Sequence, residues 1–232
     1  MSIAEQVLQL KQDFDDVYEA GYEKGKAEGG GNSWYDAFWD GYQDNGNRRA
    51  YDYAFSGQGW NNETFKPKYR IVAMGSFAGT FQNSGLTDFD FVEEGIELDT
   101  EGANSLAYLF RYAYGIKRIG VIDCTGCTEL NRTFEGCYVE TIDVLIVHEN
   151  IKYSNTFTNC KYLTYITISG TIGNSISLGS CTKLSAESVQ SIIDHLATVT
   201  TAQTITFHAD VKAKLTDEQK ATITQTKGWT LA

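Results

Sequence analysis

Proline is almost missing: Pro67 is the only one in 232 residues, against an average usage of about 5%. Turns must then be made by glycine, asparagine, aspartate and serine, as in folds with many short returns, and 22 glycines are on hand. Long apolar runs are also lacking, and no window approaches the roughly 18 uninterrupted apolar residues of a membrane-spanning helix. Basic charge is scarce, with 19 Lys and Arg against 30 Asp and Glu. The resulting net charge of -11 repels phosphate backbones and anionic headgroups, so no nucleic acid and no membrane insertion are expected. The opening residues run into Asp13, Asp15 and Asp16 without a basic stretch or an apolar one, so no secretory signal is expected and synthesis is placed in a cytoplasm. Five cysteines, an odd number without an export signal, predict free thiols rather than a disulfide framework.

What is present is periodic. Ile3, Val7, Leu10, Phe14 and Val17 alternate steps of four and three, the seam of a coiled coil. So short a helix is marginal alone, so the seam is expected either to join copies of the chain, as a trimer or dimer, or to dock in cis. Residues 1–20 are thus read as an oligomerisation helix. Residues 21–49 follow as a linker rich in glycine (Gly21, Gly25, Gly29, Gly30, Gly31) with a short aromatic helix carrying Trp34, Phe38, Trp39 and Tyr42.

From about residue 50 to 184 a unit recurs. Its clearest copies are Phe134-Glu-Gly-Cys137, Phe157-Thr-Asn-Cys160 and Leu178-Gly-Ser-Cys181, with Phe110 as an earlier anchor and Phe81 and Phe55 in weaker echoes. Eight or nine residues after each anchor comes an apolar position, Phe89, Ile119, Ile142 or Ile166, opening a short alternating run read as one strand per unit. A unit with one strand and one aromatic wedge cannot bury its own apolar side, but stacked copies share a continuous core. The expected fold is an α/β solenoid. Residues 185–232 change period and are expected to form an α/β cap. Ser185 precedes a helix with Val189, Ile192, Ile193 and Leu196 on one side, Ile205 and Phe207 lie in a strand, Thr216 and Gln219 have capping-box spacing, and Gly228 ends that helix before a strand at residues 229–231.

The segments Phe-Glu-Gly-Cys-Tyr-Val-Glu-Thr-Ile and Phe-Thr-Asn-Cys-Lys-Tyr-Leu-Thr-Tyr-Ile-Thr-Ile resemble BspA-like, Treponema-type leucine-rich repeats over about residues 50–184. The resemblance implies that Phe110, Phe134, Phe157, Cys137, Cys160 and Cys181 are internal core positions, and it brings no catalytic residue. The Ile-Pro pair of typical members, which are exported surface proteins, is missing. The opening Met-Ser-Ile-Ala-Glu-Gln-Val-Leu-Gln-Leu-Lys and the ending Leu-Thr-Asp-Glu-Gln-Lys-Ala-Thr-Ile, followed by Gly-Trp-Thr-Leu, resemble leucine-rich-repeat proteins encoded in bacteriophage structural modules, often near tail genes.

Cys124-Thr-Gly-Cys127 with Cys137 and Cys160 could be imagined as a zinc site, but the latter two are explained by repeat register as small buried apolar residues. No helix pattern follows Cys127 to lower a thiol pKa in a redox motif. His148, His195 and His208 have no ligand spacing and are read as surface or capping residues. Between Arg70 and Arg111 stand seven carboxylates, Asp88, Asp90, Glu93, Glu94, Glu97, Asp99 and Glu101, and no basic residue. They read first as a solvated acidic face, with calcium binding and glycosidase acid–base work as sharper alternatives. Residues flanking the buried isoleucines, namely Arg118, Thr141, Asp143, Tyr165 and Thr167, are expected to face outward together as a ligand face. Tyr108, Tyr112, Tyr114, Tyr153 and Tyr162 add aromatic area suited to sugar or protein.

The expectation is a non-enzymatic virion protein without cofactor or metal: a tail or baseplate appendage that binds a host-surface glycan or protein and contacts other virion proteins. The alternatives are a purely structural capsid, head-fibre or decoration component, a bacterial surface adhesin, and last a glycan hydrolase.

Overall fold

A computed structural model describes residues 75–232 throughout and, before them, residues 52–57, 59–63, 65, 67 and 70–73, with the backbone of 47–50. The chain divides into two units, residues 1–48 and 49–232. The proposed seam at Ile3, Val7, Leu10, Phe14 and Val17, and the linker and aromatic helix before residue 47, lie outside the described residues.

Short strands joined by long returns dominate residues 49–232. After β1 (Asn47–Ala50) come β2 (Arg70–Ala73), β3 (Gly75–Ser76), β4 (Phe89–Asp90), β5 (Glu97–Asp99), β6 (Ala103–Ser105), β7 (Ile116–Asp123), β8 (Thr141–Val147) and β9 (Tyr165–Gly170). Parallel pairing joins β2 to β5 and β3 to β6, and builds a four-stranded sheet in the order β4-β7-β8-β9. Parallel neighbours need a crossover of a dozen or more residues, and here irregular chain anchored by phenylalanine supplies it.

In the sheet Ile119 pairs with Ile142 and Ile142 with Ile166, all three buried. Phe89, expected at the same place, pairs instead with Ile116, and the register shifts between Phe89 and Asp90. Phe91, fully buried against Phe81 and Phe110, donates its N–H to Arg118 O at 3.1 Å. The extra residue falls in β7, where Lys117 and Arg118 both stay out of the core between Ile116 and Ile119, while Phe89, Asp90 and Phe91 keep their alternation and both rings are buried.

Opposite the sheet, Phe55, Phe81, Phe110, Phe134 and Phe157 form one buried column. Successive ring centroids are 5.1, 5.4, 5.8 and 5.4 Å apart, and the last three pairs lie within 10° of parallel. Amide bonds run beside the column: Phe81 N–H donates to Leu109 O, Phe110 to Thr133 O and Phe134 to Thr156 O, at 2.8 to 3.0 Å. Thr133 and Thr156 turn their hydroxyls inward onto Leu106 O and Leu130 O, so these buried polar groups are satisfied. The residues two before and two after each ladder phenylalanine have positive φ. Before stand Tyr53, Gly79, Tyr108, Arg132 and Asn155, and after stand Gly57, Asn83, Tyr112, Gly136 and Asn159. Two left-handed residues per turn bend the chain sharply around each ring without proline.

The C-terminal part closes one edge of the sheet. Ser185 caps α1 (Ala186–Asp194), and the buried side of α1 carries Val189, Ile192 and Ile193. A second parallel sheet follows in the order β10 (Ile176–Leu178), β11 (Thr204–Phe207) and β12 (Thr230–Leu231). Leu178, read in sequence as the last anchor, is therefore a strand residue paired with Phe207. After α2 (Ala209–Lys212), a full capping box between Thr216 and Gln219 opens α3 (Asp217–Ala221), which widens into one π-type turn at Thr222–Thr226. Trp229 precedes β12 and is buried, with its indole N–H on Ala197 O. Among the described residues no helix is long and apolar enough to cross a membrane.

Candidate binding face

Alternation along β7, β8 and β9 places Ile119, Ile142 and Ile166 inward and sends their neighbours to the other face. All five candidate residues meet there. Arg118, Thr141 and Tyr165 form one register row across the three strands. Arg118 forks onto Asp143, with Nε donating to Oδ1 at 2.9 Å and Nη2 to Oδ2 at 3.1 Å. The Asp143 hydrogen bonds raise the Arg118 pKa above its ordinary value against a smaller desolvation effect, and Asp90 and Glu93 add to the rise. Thr167 donates its hydroxyl to the Tyr165 phenol oxygen at 3.1 Å, and the Tyr165 ring is 41% exposed. The face thus holds a fixed cation–anion fork beside an aromatic ring and two hydroxyls, groups suited to orienting a polar ligand.

Sequence reasoning missed the apolar members of this surface. Val121 is exposed and pairs with the half-buried Val144, while Val92 approaches Gly120 from the preceding turn. The signal was available in the run Ile119-Gly-Val-Ile122, where only one of two adjacent β-branched residues can point inward.

Other groups weighed for chemistry are built into the frame. Cys124, Cys127, Cys137, Cys160 and Cys181 are free and buried. Burial drives the Cys124 pKa well above the ordinary range and that of Cys127 to about 11, so neither supplies thiolate near neutral pH. Cys127 sits 3.6 Å from Ala103 O as a weak donor. The three histidines all contact backbone: His148 Nε2 lies 2.9 Å from Cys127 O, His195 Nδ1 2.7 Å from Ser191 O, and His208 accepts the Asp210 N–H at the start of α2.

The acidic run disperses. Asp90 Oδ1 accepts the N–H groups of Val92 and Glu93 at 2.8 and 3.0 Å, and Asp99 and Glu97 both pair with Arg70. Asp88 lies 3.8 Å from Lys117, and Glu93, Glu94 and Glu101 are exposed. Among the described residues no three His, Cys, Asp or Glu are grouped to hold a metal ion.

The tyrosines split by role. Tyr153 is buried and without a hydrogen bond for its hydroxyl, and desolvation raises its pKa. Tyr108 and Tyr112 flank the Arg111 guanidinium at 5.5 and 4.6 Å, and Arg111 bonds the buried Glu135 at 2.8 Å. Tyr114 and Tyr162 lie in a row with Tyr138, which was not singled out in the sequence. Compared with known proteins, the chain matches no family model, no curated protein and no solved structure.

Proposed function

We propose that this chain is a non-enzymatic bacteriophage virion protein, a tail or baseplate appendage that displays a leucine-rich-repeat body to bind the host surface. The body would be the solenoid over residues 50–184, closed by the C-terminal segment. The observation that carries the reading is the meeting of Arg118, Thr141, Asp143, Tyr165 and Thr167 on one outward face of three adjacent parallel strands. The phenylalanine column and its repeated amide bonds support the repeat reading, since each turn contacts its neighbour through the same groups. The bacteriophage setting rests on the resemblance of the chain ends.

Copies joined through Ile3, Val7, Leu10, Phe14 and Val17 would present identical faces, so modest single contacts combine through effective concentration. Purified protein should bind host cells and block infection by the phage that encodes it, and Arg118→Ala should weaken both. Protein that leaves infection untouched at saturating concentration defeats the receptor-binding reading.

A further inference from the structure

A second surface lies where each anchor segment turns toward its strand. There Tyr112 and Tyr114 stack with centroids 6.1 Å apart, Tyr114 meets Tyr138 at 4.9 Å, and Tyr138 meets Tyr162 at 4.5 Å. Lys183 Nζ closes the row, 4.9 Å above the Tyr162 ring. Tyr114 and Tyr138 are 51% and 37% exposed, so the row leaves aromatic area in water, a cost the fold does not impose. The same corner of an earlier turn carries Gly85, with no ring, and that turn stacks without one.

Charge narrows the partner. Arg111 is paired with Glu135, and Lys117 lies 3.5 Å from Glu140. Lys161 and Lys183, both exposed, have no carboxylate within salt-bridge distance among the described residues. In a chain of net charge -11, the row thus ends on one uncompensated cation, Lys183, and a second, Lys161, directly precedes Tyr162 in the chain. Aromatic faces attract the polarised C–H face of a sugar, and turns repeat at the inter-strand spacing of about 4.8 Å, close to the length of one pyranose. A linear polymer of sugar rings bearing carboxylates meets both requirements.

We propose that Tyr112, Tyr114, Tyr138 and Tyr162, with Lys161 and Lys183, bind a linear acidic polysaccharide whose rings lie along the row and whose carboxylates face the lysines. The inference goes beyond the sheet face assigned above and uses none of its residues.

Affinity electrophoresis of the full chain through gels holding polygalacturonate or alginate, with dextran and cello-oligosaccharide as neutral controls, tests it. Expected are retardation by the polyuronates alone, weakening with added salt, a loss of about tenfold in affinity for Tyr138→Ala, a smaller loss for Lys183→Gln, and none for Glu218→Gln, an exposed position outside both surfaces. No retardation by either polyuronate, equal retardation by dextran, or an unchanged Lys161→Gln/Lys183→Gln double variant overturns the inference. That double variant alters only exposed side chains, so it decides the matter if Tyr138→Ala fails to fold. Host-cell binding without polyuronate binding would overturn this inference while leaving the receptor reading standing.

Discussion

Ser188 Oγ lies 2.9 Å from the amide nitrogen of Ile166 and accepts the N–H that β9 would otherwise offer to a further strand. One turn along α1, Ser191 does the same for Ile168 at 2.9 Å. A helix therefore ends the four-stranded sheet with two hydroxyls spaced to match alternate amides of the strand. Ser188→Ala should cost about 1–3 kcal/mol, because the buried Ile166 N–H loses its acceptor. Adding Ser191→Ala should lower the urea midpoint further and promote association of the freed edge, visible by size-exclusion chromatography. A single variant as stable as the parent would show that the hydroxyl is not a needed partner.

The ladder rings make a sharper prediction. Phe134 stacks between Phe110 and Phe157 and is fully buried. Phe134→Ala should destabilise by about 3–5 kcal/mol in chemical denaturation, and Phe134→Leu by less, because leucine leaves the smaller void.

Gly136 tests the left-handed positions. Its φ is +66, and an added Cβ would sit 2.5 Å from a ring carbon of Tyr112. Gly136→Ala should lose about 1–2 kcal/mol from backbone strain alone. Removing the ring as well, in Gly136→Ala/Tyr112→Ala, should relieve the contact but not the strain. Because Tyr112→Ala also removes the ring's contact with Arg111, the measure is the cost of Gly136→Ala in the Tyr112→Ala background, and a cost equal to that in the parent would mean that the Tyr112 ring gives way without cost.

Alkaline pH should weaken the fold through the buried thiols. Burial raises the Cys127 pKa from its ordinary value of about 9 to about 11, and Cys124, Cys160 and Cys181 also shift upward. Above pH 9 the unfolded chain releases these protons first, so it binds fewer than the native state and stability falls as pH rises. The contribution is fully present below pH 9, and for Cys127 it is lost between about 9 and 11. The unfolding free energy should decline there by about 1.4 kcal/mol per pH unit for each responding thiol, and Cys127→Ala should flatten the slope.

The Arg118–Asp143 fork should matter little to folding. Both side chains are partly exposed, and solvent screens such a pair so that it adds little to stability. Asp143→Ala should melt within a few degrees of the parent while releasing Arg118 from its fixed orientation, which host-cell binding would register.

Much of this arrangement was legible in residues. The spacing of Phe110, Phe134 and Phe157 and the alternation around Ile119, Ile142 and Ile166 mark the buried column and the in-register strands, because each position meets its own counterpart one turn away. Ser185, Thr216 and Gln219 announced their caps because capping depends on local chain geometry. Hidden were the features set by packing across turns. Phe89 pairs with Ile116 because β7 holds one extra residue at Lys117, and Leu178 became a strand residue because Phe207 lay beside it. Tyr138 was overlooked because nothing in its own segment shows that Tyr114 and Tyr162 stand on either side. The left-handed residues were half visible, with Gly136 and Asn159 suiting that conformation, while Tyr108, Tyr112 and Arg132 adopt it without a local reason.

The hydrogen bonds that Phe55, Phe81, Phe110 and Phe134 each donate to the residue just before the next ladder phenylalanine have a consequence for the gene. Recombination that duplicates or excises one complete stretch, from Phe110 to just before Phe134 for example, recreates a junction that the chain already contains. An exchange of that kind would lengthen or shorten the column by one ring and leave the serine-bearing helix at the end as it is.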